Sequence, residues 1–175
     1  MKMHTLLFVP ILLVSLIIAS GAFAATEVAL LRGTESWSPI RGTVAFRDTE
    51  NGLLIRAEVE NAPRGKHGFH IHEFGLTTNG GKDAGGHFNP DGNPHGLITR
   101  DGIENVHAGD LGNIVVGSDG RGTLELTVEG LSLTEGKYAV AGRAVILHAL
   151  EDDFGQPTGN AGGRIAAGSI LITGH

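Results

Sequence analysis

The sequence predicts an all-β fold of short antiparallel strands, arranged as a barrel or a sandwich, and three observations support this. Glycine supplies 28 of 175 residues, about twice its usual share, which suits a chain with many turns. Apolar and polar residues alternate in short runs, the pattern of a strand with one face buried. Turn signals such as Asn51-Gly52 and Asp119-Gly120 separate the runs, and no stretch beyond the first 24 residues reads as a helix.

In chain order, residues 1–24 form a secretory leader. Lys2 gives a positive start, Leu6 to Ile18 is almost wholly apolar, and Ala22-Phe23-Ala24 has the form of a cleavage site, leaving Ala25 as the mature N-terminus. The expected protein is therefore secreted or periplasmic, with one domain over residues 25–175 and no membrane contact after cleavage. The first strand is expected at Val28–Arg32. The second, Ile40–Phe46, sets Ile40, Val44 and Phe46 against Arg41 and Thr43. After the Asn51-Gly52 turn, Ile55, Ala57 and Val59 face one way and Arg56, Glu58 and Glu60 the other. Further strands are expected at His67–Phe74, Ile114–Val116, Leu124–Val128, Ala144–Leu150 and Ile165–Ile172. Two long connections remain, Gly75–Gly112 and Glu151–Gly163.

Seven of the nine histidines lie between His67 and His148, and there is no cysteine. Residues two apart on a strand share a face, so His70 and His72 project together while Phe69 and Ile71 enter the core. His148 faces outward on its own strand. His87, His95, His107 and Asp110 can fold back over this wall only because the connection carrying them is long. Such loops in compact domains are usually functional. Imidazoles without thiolates suit zinc, copper, iron or nickel, and a single carboxylate among them favours zinc. Six histidines and Asp110 exceed the needs of one four-coordinate ion, so spacing alone allows two metals, or one metal with spare histidines. His67 alternates with His70 and His72 and reads as structural.

The stretches Gly68-Phe-His-Ile-His-Glu-Phe-Gly75, Gly86-His-Phe-Asn-Pro90, His95-Gly96, His107-Ala-Gly-Asp-Leu-Gly-Asn113, Gly142-Arg-Ala-Val-Ile-Leu-His148 and Gly159-Asn-Ala-Gly-Gly-Arg164 together resemble the secreted copper/zinc superoxide dismutases. The resemblance implies an eight-stranded antiparallel Greek-key β-barrel with two long metal-site loops. It implies copper on His70, His72, His87 and His148, and zinc on His87, His95, His107 and Asp110, with His87 bridging the two. It also implies that Asp152 links His70 to His95, that Arg164 holds superoxide, and that a homodimer is among the expected partners.

The chain departs from the family in two places. Gly81 and Ala167 stand where the family has its disulfide cysteines, so zinc is the main candidate tether between loop and barrel, and a packing contact such as Phe88 or Pro90 docked on the barrel is the alternative. The second loop looks shorter than in animal cytosolic members and has Pro157 near the place of their lysine. Net charge is −6, with no cluster of lysine and arginine, which argues against nucleic acid and anionic membranes as partners. A covalent hydrolase has little support, since there is no cysteine and no Gly-x-Ser-x-Gly. The Gly159–Arg164 run enters a strand and lacks the lysine of a phosphate loop. The rival to an enzyme is a metal buffer on the same scaffold, and Arg164 argues for the enzyme, because a buffer needs no anion-positioning cation.

Overall fold

A computed structural model describes residues 27–172, so the expected leader, His4 and His175 lie outside the described residues. Eight strands form: β1 (Glu27–Gly33), β2 (Arg41–Thr49), β3 (Gly52–Glu60), β4 (Gly65–His72), β5 (Asp110–Val116), β6 (Gly122–Val128), β7 (Ala144–His148) and β8 (Arg164–Ser169). They close into an antiparallel barrel in the order β1-β2-β3-β6-β5-β4-β7-β8. Strands β3 and β4, like β6 and β7, are consecutive in sequence but not neighbours, so two connections cross between them as in a Greek key.

Alternation places the core as expected. Val44, Phe46, Leu53, Ile55, Phe69, Ile71, Ile114 and Leu147 point inward and are fully buried. Two seams are thin. Among the described residues, β5 and β6 pair only at Val115–Thr123 and Val116–Gly122, and β8 pairs with β1 at Arg32–Ala167 and Gly33–Ala166, with one bridge at Val28–Leu171.

The expected turn at Asn51-Gly52 is shifted by one residue. Thr49 pairs with Gly52, so Glu50 and Asn51 form the loop, and Gly52 takes φ 111° against the Val128 carbonyl, where a Cβ would collide. The strand ends also differ from expectation. β7 stops at His148 and β8 at Ser169, while β5 begins at Asp110, inside the span expected to be loop.

The first long connection is not structureless. It contains a 3-10 turn at Lys82–Ala84 and a short helix, α1 (Ile98–Asp101). Phe88, Ile98, Val106 and Ala108 from this connection are buried in the main core. Ala84 joins a second cluster on the outer wall with Ala144, Ile146 and Ala167. Apolar side chains thus anchor the loop alongside any zinc, and Ala167, at a missing cysteine position, is one of the residues it rests on.

Candidate metal centre

The site is built on β4 and β7. Their antiparallel register sets His70 opposite Ile146 and His72 opposite Ala144, with His148 just past Leu147. β4 has an irregularity between Gly68 and His70, and β7 has one between Leu147 and His148, so both ligand-bearing ends are re-aimed where regular pairing stops. The rings converge. The His72 and His148 Nε2 atoms are 3.4 Å apart, and the His70 and His148 ring centroids 4.9 Å apart.

The long loop delivers His87 to the same place. Phe88 N–H donates to the Ile71 carbonyl at 2.8 Å and Glu73 N–H to the Gly86 carbonyl at 3.0 Å, laying the loop along β4. The His87 ring centroid is then 4.0 Å from that of His70. On its other side His87 Nδ1 is 2.8 Å from Asp110 Oδ1, and His107 Nδ1 is 3.1 Å from the same oxygen. His95 Nδ1 is 2.8 Å from Asp110 Oδ2. The candidate ligand atoms of His70, His72, His87 and His148 lie within 4.8 Å of one another, and so do those of His87, His95, His107 and Asp110. Every member of both groups is buried.

Hydrogen bonds at the far ring edges set the tautomers. The Asp152 carboxylate accepts from His70 Nε2 at 2.7 Å and from His95 Nε2 at 2.9 Å. Those nitrogens therefore carry hydrogen; on the opposite edges, His70 Nδ1 is buried with no hydrogen-bond partner among the described residues, while His95 Nδ1 faces Asp110 Oδ2. An unsatisfied buried polar atom costs about 1–3 kcal/mol, and one aimed into a cluster of histidines fits metal ligation. In the same way, His72 Nδ1 donates to the Gly85 carbonyl and His148 Nδ1 to the Gly162 carbonyl, leaving each Nε2 as a lone pair.

Burial lowers His72 to about 2, His148 to about 3 and His87 to about 4, so all three are neutral and ready to ligate at neutral pH. For Asp110 and Asp152, burial favours the neutral acid, but the histidine hydrogen bonds outweigh it and hold both carboxyls well below the usual range. This donor set of imidazoles and one carboxylate suits zinc and copper, and the residues present fit both ions.

Arg164 stands half-buried beside the first group. It donates from Nη1 to the Gly81 carbonyl and from Nη2 to the Gly85 carbonyl at 2.5 Å. Its charge contributes to the lowering at both His72 and His148, which places the guanidinium near those rings. His67 lies apart from the cluster, with its two ring nitrogens 2.9 Å and 2.7 Å from the His148 and Pro63 carbonyls. Sequence reasoning assigned no role to Asn113 or Gln156. The Asn113 amide pairs with both backbone groups of Asp152, and Gln156 does the same for His95. The only sequence signal was that Asn113 ends a matching stretch.

A family model described as copper/zinc superoxide dismutase matches residues 40–170. The chain belongs to the copper/zinc superoxide dismutase family. A curated relative from Brugia pahangi, an extracellular copper/zinc superoxide dismutase, is 39% identical over 159 residues, covering 85% of this chain and 77% of the relative. Copper/zinc superoxide dismutase 2 of Brassica juncea is 43% identical over 155 residues, covering 84% of this chain and 97% of that one. Among solved structures, the clock protein EA4 aligns with a TM-score of 0.72 at 35% identity, covering 85% of this chain and 96% of its own. Copper and zinc are the cofactors of this superoxide dismutase family, and among the described residues the two histidine groups hold donors for them.

Proposed function

We propose that the protein is a secreted superoxide dismutase, converting two superoxide anions and two protons to oxygen and hydrogen peroxide. The supporting observation is the pair of buried ligand groups that share His87, with Arg164 beside one of them. His70, His72, His87 and His148 would hold copper; His87, His95, His107 and Asp110 would hold zinc. Bound copper supplies the one-electron chemistry, and bound zinc a fixed positive charge.

The chain's own residues perform the remaining tasks. Arg164 positions the anion: its guanidinium is held by two loop carbonyls and stays charged at all working pH. Asp152 fixes the tautomer and direction of His70 and His95 together. His87 Nε2 takes up a proton and hands it on to product, since Nδ1 is engaged on the Asp110 side. Residues 1–24 are proposed as a leader removed on export, in keeping with the extracellular relative.

A homodimer is proposed through a depression lined by Phe74, Leu76 and Leu171, all exposed and apolar. Sedimentation of Leu76→Glu with Leu171→Glu should give monomer from a dimeric parent; a parent already monomeric rejects that surface.

The deciding experiment measures superoxide decay with purified protein carrying one copper and one zinc per chain. Fast decay, abolished by copper chelation, is expected. Full metal loading with decay no faster than free buffer would leave only the metal-buffer reading.

A further inference from the structure

We propose that Gln156 is a positioning residue for His95, clamping that residue's backbone to the second loop and so setting how firmly zinc is held. The inference rests on the assignment of His95 to zinc made above.

The geometry is reciprocal. His95 N–H donates to Gln156 Oε1 at 3.0 Å, and Gln156 Nε2 donates to the His95 carbonyl at 2.9 Å. A primary carboxamide has one acceptor and a donor pair on a single plane, which is what one residue's N–H and C=O require. Among the described residues no other hydrogen bond meets the His95 main chain. Asp152, four residues earlier, holds the same residue by its ring. The second loop therefore grips His95 at two points, side chain and backbone.

The turn that presents Gln156 is itself fixed. Asp153 Oδ1 accepts from Gly155 N–H at 2.8 Å and from the Asn160 amide at 3.2 Å, and Gly159 N–H returns to the Gly155 carbonyl at 2.7 Å. Gly159 packs so closely that a Cβ there would strike Asp152 Oδ1 and His95 Nε2. Asn113 makes the same two-bond clamp on the Asp152 backbone, tying the loop to β5. Force on His95 is thus passed to the barrel through two carboxamides in a chain that has no disulfide.

The test compares zinc release into excess chelator from the wild type, Gln156→Ala and Gln156→Met, with Thr158→Ala as a control in the same loop. Methionine keeps the length of glutamine and removes both hydrogen bonds. Loss of two hydrogen bonds predicts zinc release about five- to tenfold faster in both Gln156 variants. Copper release and the melting temperature of the metal-free protein should stay at wild-type values, and cobalt placed in the zinc site should show an altered visible spectrum. Release at the wild-type rate, or equal acceleration in Thr158→Ala, overturns the clamp. A wild type that binds no zinc would overturn the metal assignment instead. The clamp is then read from amide exchange at His95 in metal-free protein, where Gln156→Ala must exchange faster for it to stand.

Discussion

At the residue scale, Arg164 carries two duties that substitution can separate. It holds the Gly81 and Gly85 carbonyls, and the Gly85 carbonyl also accepts from His72. Arg164→Ala should keep copper but lose about ten- to hundredfold in rate, since a hydrogen bond to a charged group contributes about 1.5–3 kcal/mol. Arg164→Lys keeps the charge without the planar fork, so it should recover part of the rate and little of the loop contact. Steady-state rates at full copper occupancy check this. Wild-type rate in Arg164→Ala would remove the residue from the reaction. The pairing of His70 with His72 was readable because strand geometry admits one answer for residues two apart. The duties of Asn113 and Gln156 were not, because a carboxamide in a polar loop has the same sequence signature whether it is solvated or clamps a backbone.

At the scale of elements, the long connection behaves as a docked layer. Phe88 is buried under the Arg143 guanidinium, 3.4 Å from the ring centroid, and Ala84 rests on Ala144, Ile146 and Ala167. Each buried methyl or methylene contributes roughly 0.8 kcal/mol, so a few anchors rival the ~2–4 kcal/mol of a typical disulfide. Zinc removal should therefore speed amide exchange chiefly between His95 and His107, while the segments around Ala84 and Phe88 stay protected. Uniformly fast exchange from Gly75 to Gly109 would reject the anchors. A thiol reductant should leave the melting temperature unchanged, since there is no cysteine to reduce. The eight strands were legible because alternation has a fixed period. The loop's docking was not, because an irregular chain has no period to betray which apolar residues turn inward. β5 was read too short for a related reason: Asp110-Leu-Gly-Asn113 has the composition of a turn.

On the scale of the whole molecule, the buried imidazoles make the metal-free protein sensitive to acid. His72, His87 and His148 titrate far below their ordinary 6.5 because burial penalises the cation. Between those values and 6.5 the unfolded chain binds more protons, so stability should fall as pH drops from about 6.5 towards 4. His95 acts in the opposite direction. Burial alone would lower it, but the Asp110 and Asp152 carboxylates outweigh burial and raise it to about 9. Its contribution is complete below 6.5 and disappears as pH rises through 9. Urea midpoints of metal-free protein across this range check both limbs, and a flat profile between pH 6.5 and 4 would contradict the burial argument. The two thin seams have a separate consequence. They divide the barrel into β1-β2-β3-β6 and β5-β4-β7-β8, and every strand-borne candidate ligand, with Arg164, belongs to the second set. One half is a chemical instrument and the other a blank counterweight, so the outward face of β2, β3 and β6 can be rewritten, to carry a tag or a new binding surface, without retuning the metals. A set of charge reversals at Arg56, Glu58 and Glu125 that left copper and zinc affinities unchanged would demonstrate that independence, and a shift in either affinity would refute it.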